Sequence, residues 1–259
     1  MIDIHSHPLS GVDDGASSFE VSREMCRIAA ADGITHLVAT PHCNYEYSYN
    51  AEINRAKLAE LQAAVGDAPK LLLGCDFHLS HDNLRLLLEG HKRFTINGTD
   101  YLLVELRDQF IPEQMDRVFF ELQCANVQPI LTHPERNEVF EQHPDLLYRW
   151  VTRGCLVQVT AMSYTGGFGR RARHLSELWL DQNLVHFFAT DAHDSRHRPP
   201  VLSKCYDKVE QAKGREVAEL LLKRNPQAVL EGRPLPHGLE PVDPGLVQRK
   251  RSWFSFWRR

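Results

Sequence analysis

The chain has 259 residues, of which 42% are hydrophobic and 25% charged, an ordinary globular composition with length enough for two average domains or one α/β barrel. Five of its 30 basic residues fall in 249–259, which holds no acidic side chain, so the formal charge of −4 conceals a body at −9 that is a poor nucleic-acid binder. No apolar run is long enough to cross a bilayer, and charged residues begin at once, which argues against a secretory signal and makes the cytoplasm the expected location.

The opening MIDIHSHP is a short β-prone run that ends in His5 and His7. In an extended strand residues i and i+2 share a face, so these two imidazoles can grip one ion. Alone, the pair is equally well explained as a surface accident or a tag remnant. SSFE follows, with Ser17 and Glu20 at capping-box spacing, and Val21, Met25 and Ile28 then fall on one helical face. THLVAT is a second strand; the helix after it carries Leu58, Leu61 and Val65 before Gly66 and Pro69 end it. KLLLGC, YLLVEL, PILT, CLVQV and VHFFAT continue the series, with helices expected over 113–125, 143–153, 170–182 and 207–222. Strands alternating with amphipathic helices are the pattern of βα units and a parallel sheet.

From Gly232 the composition changes. GRPLPHGLEPVDPG reads as a Pro/Gly-rich linker over 233–248, and RKRSWFSFWRR as a basic-aromatic tail over 249–259, so residues 1–232 are expected to form the single folded domain. Cations mixed with Trp253, Phe254, Phe256 and Trp257 suit a membrane interface or a partner groove.

The residues that close each strand carry the chemistry. The seven runs end in His5 and His7, His42, Asp76, Glu105, His133 with Arg136, a sixth run with only Gln158 and Thr160, and finally Asp191 and His193. Carboxyl ends of barrel strands converge on one face, where active sites are built. Any one of these residues has a structural explanation, a helix cap for Asp191 or a satisfied buried imidazole for His42, but the set of eight does not. Five histidines and three carboxylates without a thiolate suit Mn, Fe or Zn and allow Mg, and eight donors exceed the needs of one ion. Two or three divalent ions are expected, with Asp76 or Glu105 as the natural bridge.

Six cysteines form no Cys-x-x-Cys pair, and none has an arginine six positions on, as thiol-based phosphatases do; reduced, mostly buried thiols are expected. His78, His81 and His91 are expected on loops or a helix surface, and Tyr45, Tyr47 and Tyr49 on a loop at the catalytic face.

With IDIHSHPLSGVDDG, TPHCN, LGCDFH, LVEL, THPER and TDAHDSRHRPP, the chain resembles the polymerase and histidinol phosphatase (PHP) superfamily, and within it the bacterial capsule-cluster tyrosine phosphatases of the CpsB/CapC type, from Met1 to about Gly232. The resemblance implies a distorted (β/α)7 TIM-like barrel with a trinuclear, typically manganese-supported site. It implies His5, His7, His42, Glu105, His133, Asp191 and His193 as ligands and Arg136 and Arg198 as phosphate-contacting arginines. Asp76 stands where the family's bridging Glu is expected, one methylene shorter. The implied substrate is the phosphorylated tyrosine-rich tail of a membrane-associated bacterial tyrosine autokinase that controls exopolysaccharide export. The rival expectations are another PHP phosphoesterase, acting on histidinol phosphate or a nucleotide, and a weakly active protein that docks on the kinase. Asp14 and Asp194 stand unranked as candidate general acids.

Overall fold

The computed structural model describes residues 1–244 apart from 108 and 237; the 249–259 tail and His237 lie outside the described residues. Every strand pairing in it is parallel. The strands are β1 (Ile2–Ser6), β2 (His36–Ala39), β3 (His42–Cys43), β4 (Lys70–Leu73), β5 (Asp76–His78), β6 (Tyr101–Glu105), β7 (Gln128–Thr132), β8 (Leu156–Thr160) and β9 (Phe187–Ala189).

Two of the seven expected strands bend and continue in a second sheet. The run THLVAT stops at β2, because Pro41 has no N–H for the ladder, and resumes as β3; KLLLGC stops at β4 and resumes past Gly74 as β5. A Cβ on Gly74 would stand 3.2 Å from Thr40 Cγ2 and 3.3 Å from Val38 Cγ1, so the missing side chain lets the two bends nest. The sheets therefore run β1-β2-β4 and β3-β5-β6-β7-β8-β9. Asp191 N–H donates to His5 O and His7 N–H to Ala192 O, both at 2.8 Å, which joins the last strand to the first. The result is a distorted (β/α)7 barrel in one domain.

The helices are α1 (Phe19–Ala31), α2 (Ala51–Val65), α3 (His81–Gly90), α4 (Met115–Cys124), α5 (Glu138–Gln142), α6 (Pro144–Thr152), α7 (Ala161–Thr165), α8 (Gly169–Asp181), α9 (Ser203–Lys213), α10 (Arg215–Glu219) and α11 (Asn225–Leu230). The cap of α1 is Ser18, one residue later than the expected Ser17; its Oγ accepts from Val21 N–H and donates to Glu20. The helix expected over 207–222 is two, because Gly214 at φ 88° ends α9 and admits a new start.

Alternation along the strands separates a helix-facing core from a barrel interior. On β6, Leu102 and Val104 join the first, while Tyr101 and Leu103 join Ile130, Phe187 and Ala189 in the second. Val229 and Leu230 of α11 also pack there, and Asn97 Nδ2 donates to Leu230 O, so α11 and the turn at Ile96–Gly98 stopper the amino end. The polar strand ends are left to the opposite mouth. Residues 233–236 and 238–243 have no regular secondary structure, and Val242 N–H donates to Gln182 O and Asn183 Nδ2 to Glu240 O, which ties the later stretch to the body. Among the described residues no helix is long and apolar enough to cross a membrane.

Candidate metal centre

The expected ligands meet at the carboxyl end of the barrel, and all but Glu105 are buried. His5 Nε2 lies 3.4 Å from both Asp76 Oδ2 and Asp191 Oδ1, and His7 Nε2 lies 3.4 Å from Asp191 Oδ1. His42 turns Nδ1 to Asp76 (3.3 Å) and Glu105 (3.6 Å), and Nε2 to Asp14 (3.4 Å). His193 Nε2 stands 3.6 Å from Asp14, and His133 Nε2 3.7 Å from Glu105 Oε1. Three groups have donor atoms all within 4.8 Å of one another: His7, Asp14, His42 and His193; His5, His7 and Asp76; and His42, Asp76 and Glu105. Donors each about 2.1 Å from a shared ion stand about 3.0–3.5 Å apart, close to the spacings seen here. His42 Nδ1 and Asp76 Oδ2 are buried without a hydrogen-bond partner although they face each other, so the donor set fits metal ions better than it satisfies itself.

The imidazoles are aimed from behind. His7 Nδ1 donates to Asp13 Oδ2 (2.8 Å), His5 Nδ1 to Gln158 Oε1 (2.9 Å) and His193 Nδ1 to the Asp191 carbonyl (2.9 Å), which leaves each Nε2 for the cluster. Burial alone lowers a histidine's pKa, but Asp13 raises His7 to about 9, whereas burial and the charge of His7 push His193 down to about 3. Burial opposes ionisation of Asp76 too, yet His5 and His42 hold its carboxyl well below the usual range.

Asp13 and Gln158 are the residues that sequence reasoning missed. Gln158 lies mid-way along β8, the one strand expected to contribute no ligand, and Asp13 lies inside the VDDG stretch. Asp14, an unranked candidate acid, stands in a donor group with three imidazoles. Asp194 is committed elsewhere: its Oδ1 accepts the N–H groups of Arg196, His197 and Arg198 and folds that loop. His78, expected on a loop or helix surface, is buried on β5 with Nδ1 3.7 Å from Glu105 Oε2. Tyr49 is structural, its hydroxyl on Gly74 O and its ring against Phe94, while Tyr47 lies over His42 with ring centres 6.2 Å apart.

Both expected arginines reach the centre, where they hold Asp191. Arg136 and Arg198 (2.6 Å) donate to the same Asp191 Oδ2, and both guanidinium groups lie over the Phe168 ring, 4.9 and 5.5 Å from its centre. Each retains a buried Nε without a partner among the described residues. His133 and Asp191 have φ of 34° and 50°, left-handed values that are costly outside glycine and are tolerated where function over-determines them. Pro134 helps, since it excludes the right-handed helical conformation from the residue before it and starts the turn that throws Arg136 inward.

A parallel barrel with a histidine and carboxylate cluster at its carboxyl mouth belongs among the metal-dependent barrel hydrolases. More narrowly, residues 1–231 match the family described as capsular polysaccharide synthesis, CpsB/CapC, and the chain belongs to that family. CapC of Staphylococcus aureus is 34% identical over 98% of this chain and 99% of its own, and the tyrosine-protein phosphatase YwqE of Bacillus subtilis is 31% identical over 91% and 96%. A crystal structure from work on YwqE and on CpsB of Streptococcus pneumoniae, described as metal-dependent tyrosine phosphatases, superposes with a TM-score of 0.86 at 30% identity, covering 94% of this chain and all of that one.

Proposed function

We propose that this chain is a metal-dependent phosphomonoesterase that removes phosphate from tyrosine in a protein. The observation that carries this reading is the sharing of His7, His42 and Asp76 among three donor groups, directly beside two arginines with unpartnered buried Nε atoms. His5, His7, Asp14, His42, Asp76, Glu105, His133, Asp191 and His193 would hold two or three divalent ions, of which manganese suits the nitrogen and oxygen donors, with Fe, Zn or Mg as alternatives. When bound, such ions lower the pKa of water and draw charge from phosphoryl oxygens.

The chain's own groups do the rest. Arg136 and Arg198 offer the remaining edges of planar, permanently charged forks to the phosphoryl oxygens, and Asp191 with Phe168 fixes both planes. Asp13 and Gln158 keep protons on the far nitrogens of His7 and His5. A phenolate leaving group, with pKa about 10, departs with little acid assistance, in keeping with an Asp194 carboxylate engaged by three amides.

The names of the relatives and of the family support a phosphotyrosyl protein of capsule synthesis as substrate. We take the partner to be a membrane-associated bacterial tyrosine kinase and the location to be cytoplasmic, with residues 249–259 offering peripheral membrane contact. Turnover of a phosphotyrosyl peptide, histidinol phosphate and a nucleotide, measured with Mn, Fe, Zn or Mg and after chelation, tests the reading. Metal-dependent preference for the peptide is expected. Preference for either small substrate supports a different PHP phosphoesterase, and kinase binding without turnover supports a docking protein.

A further inference from the structure

One wall of the metal centre opens sideways into a cavity of about 510 Å³ lined by Asn44, Tyr45, His78, Glu105, Leu106 and Arg107. Glu105 belongs to the donor cluster and His78 Nδ1 stands 3.7 Å from it, so whatever enters this cavity is continuous with the reacting centre. The outer wall is different in kind. Tyr45 is 81% exposed, and the Arg107 guanidinium lies over its ring at 5.9 Å with no acidic partner among the described residues.

The exposure is held in place. Asn44 Oδ1 accepts from Glu46 and Tyr47 N–H at 2.9 Å, and Asn44 N–H donates to Tyr47 O, so the turn that presents Tyr45 is closed on itself. Asn83 Nδ2 ties its base to β5 through Cys43 O and His78 O, and Asn137 Nδ2 pins the Arg107 carbonyl. A large aromatic kept in water by a closed turn, beside a guanidinium with no acidic partner among the described residues, has the composition of a recognition surface, where Tyr and Arg are enriched.

We infer that Tyr45 and Arg107 form a specificity subsite for the residues flanking phosphotyrosine. Tyr45 lays its ring against the substrate backbone, and Arg107 pairs with a flanking Asp or Glu side chain. The inference rests on the phosphatase reading above and adds the substrate class: phosphotyrosyl segments with acidic neighbours. Arg107 stands at the rim of the cavity, so its effect is of the size of an exposed pair and is screened by salt.

The test uses the manganese-loaded full chain with p-nitrophenyl phosphate and two phosphotyrosyl peptides that differ only in Glu or Gln at the flanks. The acidic peptide is expected to lead by about fivefold in kcat/KM, carried by KM and shrinking as salt rises. Arg107→Gln brings that ratio near one and Arg107→Lys keeps part of it; Tyr45→Ala raises KM for both peptides, and Tyr45→Phe restores it. Equal rates on the two peptides, or a ratio unmoved by Arg107→Gln, overturn the subsite while p-nitrophenyl phosphate turnover leaves the phosphatase reading standing. Failure of all three substrates overturns both.

Discussion

Asp13 Oδ2 accepts the Nδ1 proton of His7 at 2.8 Å, and this bond decides which nitrogen of His7 faces Asp191 and His5. An acceptor behind a metal-binding imidazole fixes its tautomer and raises its basicity, and removing such a partner costs about 10–100-fold in metal affinity. Asp13→Asn is therefore expected to weaken manganese binding by about that factor with the fold intact, as read by calorimetric titration of the metal-free chain. Gln158→Leu, which removes the acceptor behind His5, should act in the same direction. An affinity within twofold of the parent in both variants would contradict the role given to these residues.

Gly15 makes the Asp13 bond possible. Its N–H donates to Asp13 Oδ1, and an added Cβ would stand 2.2 Å from His7 O and 2.5 Å from His7 Cβ. Neither is a flexible side-chain tip, so the loop must lift away from His7. Gly15→Ala is expected to lower Tm by several degrees and to reduce metal content at a fixed manganese concentration, measured by thermal unfolding and by elemental analysis. Parental metal content in a variant of parental Tm would show that the loop absorbs the methyl.

The relation between Asp13, Gly15 and His7 also shows what could be read from sequence. Strand ends were legible because the apolar runs, the period of two and the barrel's convergent geometry act on residues close in sequence; each of the eight expected ligands reached the mouth that way. The groups behind them were not. Gln158 looks inert on its own strand and gains its role only from His5, 153 positions away, and Asp13 gains its role from a loop that folds back. His78 was given to a loop because the strand resumes after Gly74 for three residues only, too short a run to announce itself. Arg136 and Arg198 were expected at the mouth and are found there, but their shared hold on Asp191 is a tertiary fact.

Phe168 supports both arginines with one ring. Cation–π support of a partly desolvated guanidinium is worth about 0.5–2 kcal/mol, so Phe168→Leu should loosen both planes together. A fall of about tenfold in kcat/KM for a phosphotyrosyl peptide is expected, together with weaker competitive inhibition by inorganic phosphate. Because the arginines act through the same ring, adding Arg198→Lys to Phe168→Leu should cost less than the two single effects combined. Strict additivity of the two losses would mean that the ring does not position Arg198.

Stability should carry a separate acid signature from His186, which stands just before β9 at the amino end of that strand and bonds to Val157 and Asn225 rather than to the groups at the carboxyl mouth. Its Nδ1 accepts the Val157 N–H at 3.1 Å while its own N–H donates to Val157 O, and burial lowers its pKa from 6.5 to about 4. Between those values the unfolded chain takes up a proton that the folded chain refuses, so the contribution is fully present above pH 6.5 and is lost as pH falls toward 4. Asp3 works oppositely: burial raises its carboxyl to about 6 despite the bonds from Thr190, so it favours the folded state as pH falls from about 6 toward 3.8. The two are separated by urea unfolding of the native chain and of His186→Gln at each pH, with metal chelated throughout. At pH 7.5 the variant should be the less stable, and by pH 5 the gap should narrow because only the native chain loses the His186 term. A gap that stays constant from pH 7.5 to pH 5 would assign the acid sensitivity to other groups.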